Sequence, residues 1–336
     1  MRFYFITITL FSLTLNLAAQ PADTVELSSR QIAQIQDQGA AGIQAVIEES
    51  NIDLQDKVAT HALVSQIVSS QINKASTPES IAEITSQITI AVAEIALMGN
   101  YNDQINLIIE SISAGANDGV IKASENLNID VREAIKYASS GSSSGAIKIA
   151  IANGLDVATA TSAAASGATA GAIEAALETS YNVPEIVEFA SSGSVVGTIS
   201  AVDEAGIDVR KYIEAAAAGS VEAAVEVPVT KMLDIMKFVQ YATAGSIKAT
   251  IESDIETYID EHIKAAFSGS TFGAKQAIAG KGSNTRIKIA PISVDLNELE
   301  QTLEYGLIDG ERRAKRFEII ITPYDDDPSV RQVSPV

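Results

Sequence analysis

Apolar residues recur at three- and four-residue intervals through most of this chain. In Val131-Arg132-Glu133-Ala134-Ile135-Lys136-Tyr137-Ala138 they mark one face of a helix, as they do in Gly145-Ala146-Ile147-Lys148-Ile149-Ala150. The blocks repeat. Glycines stand at Gly115, Gly141, Gly167, Gly193, Gly219 and Gly245, each 26 residues from the last, and Gly269 follows after 24. A second column holds Ile129, Leu155, Tyr181, Ile207, Leu233 and Ile259, and directly after it a third holds Asp130, Asp156, Asn182, Asp208, Asp234 and Asp260. Three columns in register define a 26-residue repeat.

Each column predicts a local role. Asp or Asn before an apolar-periodic run is a helix N-cap, its side chain accepting free N–H groups of the first turn. The first glycine column predicts the end of that helix. The serines after it, Ser142, Ser194, Ser220, Ser246 and Ser270, predict caps of a second helix that stops near Asn153-Gly154 or Ala205-Gly206. One repeat then reads as two helices of about ten residues. Helices so short are marginal alone, and stacked copies bury a continuous core. The abundant alanine and the second glycines Gly145, Gly171 and Gly197 predict close helix approach. Upstream, Asp53, Thr77 and Asp103 stand near cap positions, and Ser29 is placed to cap the first helix.

The expected fold is mainly α: an α-solenoid of about ten helical-hairpin repeats within residues 20–285, on the order of 100 Å long. A β-solenoid has coils of similar length, but Tyr212 to Ala218 and Gly171 to Glu178 are strong helix formers and poor strands. Beyond Asn284 the pattern ends. Arg286-Ile287-Lys288-Ile289 and Phe317 to Thr322 read as strands, and Asp295 as the cap of a short helix through Leu296, Leu299 and Leu303. Residues 286–336 are therefore expected to form a small α/β or β module with an acidic tail.

The N-terminus predicts an address. Met1-Arg2, the apolar stretch Phe3 to Leu17 and the exit Ala18-Ala19-Gln20 read as a signal peptide over residues 1–19, although cutting after Ala19 puts Leu17 at the −3 position. The stretch is short for a spanning helix, and no later run reaches spanning length without charges. Export to the periplasm, cell surface or medium is the expectation.

Composition then removes whole classes of chemistry. With no cysteine among 336 residues there is no disulfide, thiolate metal site or thiol nucleophile. A formal charge of −20 disfavours nucleic acid and anionic lipid as partners. Gly141-Ser142-Ser143-Ser144-Gly145 satisfies the nucleophile-elbow pattern, but sister repeats carry Asn117, Thr169, Val195 and Thr271 in that slot, so it reads as a repeat column. His61 and His262 lack the companion a zinc helix needs and read as packing or solvated residues. Asp325-Asp326-Asp327 lacks the spacing of a calcium loop. The repeat glutamates Glu174, Glu178, Glu188, Glu214, Glu222 and Glu252 read as a solvated face, and bridging by a divalent cation has no support beyond them. No cofactor or metal is expected.

The concentrated positive charge is Arg312, Arg313, Lys315 and Arg316, next to the apolar Phe317, Ile319, Ile320 and Ile321. It reads either as a helix C-terminus complementing its dipole or as a docking site for an acidic partner, including another copy, with strand addition through Ile319 to Ile321. The expected function is that of a non-enzymatic exported structural or interaction protein: a matrix, adhesion or fibre component that binds a protein partner or itself. The alternatives are a periplasmic or secreted scaffold for a protein or glycan, and a hydrolase using carboxylates alone.

Overall fold

A computed structural model describes residues 26–72, 77–124, 130–253, 258–282 and 291–321, the last seven by their backbone alone. The signal-peptide segment, the strand expected at Arg286 to Ile289 and the Asp325 to Asp327 cluster lie outside these residues. The described residues form twelve α-helices: α1 (Ser29–Gln38), α2 (Ala40–Ser50), α3 (Lys57–Ile72), α4 (Pro78–Met98), α5 (Ile105–Ser124), α6 (Val131–Asn153), α7 (Val157–Leu177), α8 (Val183–Glu204), α9 (Arg210–Lys231), α10 (Ile235–Glu252), α11 (Ile259–Ile278) and α12 (Leu296–Ile321). No strand occurs among the described residues.

Four of the six residues of the cap column, and Asp295 beyond it, do what their chemistry predicts. Carboxylate oxygens of Asp130, Asp156, Asp208, Asp234 and Asp295 accept the backbone N–H two residues on, at 2.8–3.1 Å. Asn182 stands at the cap of α8 but turns its amide to Glu185 instead. Thr77 caps α4 in a reciprocal box with Ser80. Four caps depart from expectation: Ser28 rather than Ser29 caps α1, Asp56 rather than Asp53 binds the first N–H groups of α3, Asp103 lies within a short 3-10 turn ahead of α5, and Asp260 lies inside the first turn of α11, whose cap position is held by Tyr258 without a side-chain hydrogen bond. Gly154 and Gly206 end their helices with φ of 65° and 69°, where a side chain would be strained.

The 26-residue glycines do not end helices. Gly141, Gly167, Gly193, Gly219, Gly245 and Gly269 lie inside α6 to α11, so each repeat is one helix of about twenty residues rather than a hairpin of two short ones. Ser142, Ser194, Ser220, Ser246 and Ser270 are correspondingly buried in mid-helix and cap nothing. A glycine inside a helix costs about 1 kcal/mol relative to alanine, and its packing shows what offsets this. A Cβ on Gly167 would overlap the backbone carbonyl of Glu110, one on Gly193 that of Lys136, one on Gly219 that of Ser162 and one on Gly245 that of Glu188. In every case the partner lies 57 residues earlier, on the helix two before. The second glycines continue the seam: Gly171 meets Ala114 and Gly197 meets Ser140, again 57 residues back.

This register fixes the architecture. The most extensive packing joins helices two apart, α5 with α7, α6 with α8, α7 with α9 and so on, with lesser packing between sequence neighbours. Odd helices form one layer and even helices the other. Within a layer the seam residues rise together in number, so the helices run parallel. Six helices per layer at roughly 8–10 Å give a stack about 50 Å long, half the expected length, because each repeat contributes one helix. Apolar side chains such as Ile67, Ile108, Ile135 and Ile173 are wholly buried along it.

The C-terminal β expectation is overturned for the described residues. Asp295 does cap a helix, but Phe317 to Ile321 continue that helix, so their backbone groups serve its hydrogen bonds. α12 packs on α10 as α10 packs on α8, closing the even layer. One helix among the described residues, α4, is long and apolar enough by composition to cross a membrane. In this fold it packs against α2 and α6, with Ile81 and Val92 fully buried.

Candidate functional site

Helices of one layer come from alternate repeats, so residues 52 apart share a flank. That double period brings charged residues together that the single repeat leaves scattered. In the odd layer, Lys122 on α5, Glu174 on α7 and Glu226 on α9 are 52 residues apart in sequence. The first two help to line a basin of about 390 Å³ with His61 of α3, Asp118, Glu178 at the end of α7 and Lys231 of α9. Four helices contribute, so the basin exists only in the assembled stack.

Asp118 is its buried anchor. Lys122 Nζ donates to Asp118 Oδ2 at 2.7 Å, and His61 Nε2 lies 3.1 Å from the same oxygen. Burial pushes the Asp118 carboxyl up, but the hydrogen bonds from His61 and Lys122 outweigh it and hold its pKa at about 2. At neutral pH Asp118 is therefore an ionised hub that orients two cationic or potentially cationic side chains. Glu174 and Glu178, one turn apart at the end of α7, add negative charge to the same lining, and Lys231 adds positive charge. The arrangement suits recognition of a polar ligand carrying both signs. Among the described residues no group of three His, Cys, Asp or Glu side chains is placed to hold a metal ion.

The even layer carries a second set of charges, and it is knit internally. Tyr137 on α6, Phe189 on α8 and Tyr241 on α10 form a column with the same 52-residue spacing. Cations fill the gaps between them. Arg132 and Lys248 lie over the Phe189 ring at 5.8 and 5.2 Å, and Arg313 over Tyr241 at 5.0 Å. Lys136 on α6 reaches across α8 to Glu252 on α10 at 3.5 Å, and Lys248 approaches the same carboxylate at 3.9 Å.

Arg313 is thus no free docking cation. Its guanidinium pairs with buried Glu188 of α8 and approaches Asp309 at 4.0 Å, tying α12 past α10 to α8 of the same layer. Burial pushes the Glu188 carboxyl up even with Arg313 and Lys248 beside it. Arg312 is exposed and pairs with Asp309 at 3.2 Å. The side chains of Lys315, Arg316, Phe317, Ile319, Ile320 and Ile321 lie outside the description, while their backbone is helical and places the basic run within α12 rather than in its last turn.

The remaining sequence candidates disperse. Ser143 is buried inside α6, far along the chain from either histidine. Of the two histidines, His61 joins the basin, while His262 is buried near Asp208 in the first turns of α11. The glutamates are no uniform solvated face: Glu188 and Glu222 are buried, Glu252 bridges two lysines, and Glu214 is exposed and accepts from Ser268. Compared with known proteins, the chain matches no family model and no curated protein at a significant level.

Proposed function

We propose that this chain is an exported, non-enzymatic interaction protein. Its helical repeat is a rigid carrier, and its exposed flanks engage another macromolecule outside the cytoplasm. The signal-like N-terminus supports export, and the net charge of −20 suits a solvated surface in the medium, matrix or periplasm.

The observation that carries the interaction reading is the basin on α3, α5, α7 and α9, where residues of four helices converge around Asp118. It favours a scaffold that binds a protein surface of mixed charge over a purely space-filling fibre component. Glycan binding has less behind it, because no aromatic side chain among the described residues lines the basin for sugar stacking.

Two measurements test this. N-terminal sequencing of protein recovered from cell fractions should find a chain starting near Gln20 outside the cytoplasm; Met1 intact on cytosolic protein overturns export. A photo-crosslinking residue at Glu178, compared with one at Asp37 on α1, should capture a discrete partner in the native setting. Equal capture at both positions removes the basin from consideration.

A further inference from the structure

The glycine seam of the even layer is missing at its first step. Gly141, Gly193 and Gly245 each stand eleven residues after the cap positions Asp130, Asn182 and Asp234, and each lets its helix close on the one two before. The eleventh residue after Thr77, the cap of α4, is Ile88. A branched side chain thus stands where the later helices carry hydrogen, and α2 packs far less extensively on α4 than α4 packs on α6. The glycine of α2 does not compensate. Gly42 faces α1, where a Cβ would overlap the Gln34 carbonyl.

Between the α1–α2 elbow and α4 this leaves a cavity of about 430 Å³. Small-molecule pockets occupy roughly 300–1,000 Å³. Ile35 and Ile43 wall the cavity on one side, and Ile84, Ile88 and Ile90 on the other. An apolar cavity stays dry and takes up hydrocarbon. The polar groups that reach it include the amides of Gln71 and Gln87 and the carboxylate of exposed Glu94. Among the described residues that line it, Glu94 alone is charged.

We propose that this cavity binds a single hydrocarbon chain with a cationic head, a long-chain ammonium amphiphile. The chain lies among the isoleucines and the head beside Glu94. A carboxylate or phosphate head would meet Glu94 with no lysine or arginine in the described lining to offset the repulsion. The cavity shares no residue with the basin around Asp118, so either site can fail without the other.

Displacement of the neutral fluorescent probe N-phenyl-1-naphthylamine from the purified chain tests this, with every amphiphile kept below micelle formation. Alkyltrimethylammonium ions should displace the probe, with affinity rising about fourfold per added methylene until the cavity is full and then levelling. Alkanoates of equal length should bind about tenfold more weakly, because Glu94 attracts one head and repels the other. Glu94→Lys, at an exposed position, should reverse that order. Ala91→Phe, in the buried wall, should move the levelling to shorter chains and weaken the longest by about tenfold, the effect of excluding roughly two methylenes. If A91F fails to fold by circular dichroism, the Glu94→Lys reversal decides. Affinity that rises along the whole alkyl series, equal binding of the two heads, or unchanged binding in folded A91F overturns the proposal. Probe binding that falls as protein concentration rises assigns the cavity to a second copy and overturns it as well.

Discussion

A methyl group on Gly193 would overlap the carbonyl oxygen of Lys136, two helices earlier in the same layer. The α6–α8 crossing therefore depends on hydrogen in place of a side chain, and a glycine contact of this kind recurs at each step from α3–α5 and α4–α6 onward. It sets how closely the helices approach and so how much of their small-residue surface leaves water.

Gly193→Ala should destabilise the protein by roughly 3 kcal/mol, since the overlapped atom is backbone and cannot turn aside. The same change at an exposed helix site would stabilise by about 1 kcal/mol. Urea denaturation decides between the two signs. A neutral or stabilised G193A protein would mean the seam is looser than described.

Ser194→Ala distinguishes a buried mid-helix serine from a cap. The Ser194 hydroxyl is buried and makes no hydrogen bond among the described residues. Its removal should leave stability within about 0.5 kcal/mol or raise it. Loss of a true N-cap would cost roughly 0.5–2 kcal/mol, so thermal melts of S194A against wild type separate the two.

Asp156→Ala tests the cap column itself. Asp156 accepts from the Ala158 N–H at 3.0 Å and from the Thr159 hydroxyl at 2.8 Å. The alanine variant should lose about 1 kcal/mol and Asp156→Asn much less. Equal losses from both would point to the charge rather than the cap.

Arg313→Leu leaves Glu188 buried without its main partner. At pH 7 the cost should be several kcal/mol, in the range of about 3–5 for breaking a buried pair. Glu188 already titrates above the usual carboxylate range because of burial, and the variant raises it further. A raised acid binds a proton in the folded state that the unfolded chain releases. The penalty should therefore shrink as pH falls through the folded pKa towards that of the unfolded chain. A pH-independent loss would show that Arg313 acts through packing on Tyr241 instead.

Asp118 gives the opposite slope. Its folded pKa of about 2 lies below the unfolded value, so its contribution is complete above about pH 4 and disappears as pH falls towards 2. That contribution is on the order of 2 kcal/mol. Asp118→Asn should lower stability at neutral pH and flatten the acid limb of the pH–stability curve. An unchanged acid limb would remove the buried His61–Asp118–Lys122 hub as its source.

The amino-acid sequence by itself determined the helical class, the 26-residue period and most of the caps, because each is written in local chemistry. An Asp before an apolar run binds its own next N–H groups wherever the helix is later placed. Gly154 and Gly206 end helices for an equally local reason, a backbone angle that side chains avoid. The glycines of the repeat carry no such local sign. A glycine that stops a helix and one that admits a neighbour look alike in sequence, and the choice rests on a backbone 57 residues away. Only the tertiary structure could turn two expected short helices into one long one, since packing against the second neighbour offsets glycine's cost inside the helix. It also decided which charges meet. Parallel stacking of alternate repeats doubles the effective period, so Lys122 shares a basin with Glu174, and Arg313 reaches Glu188, a residue 125 positions earlier. Those encounters are set by the geometry of the layers, and no window of local sequence contains them.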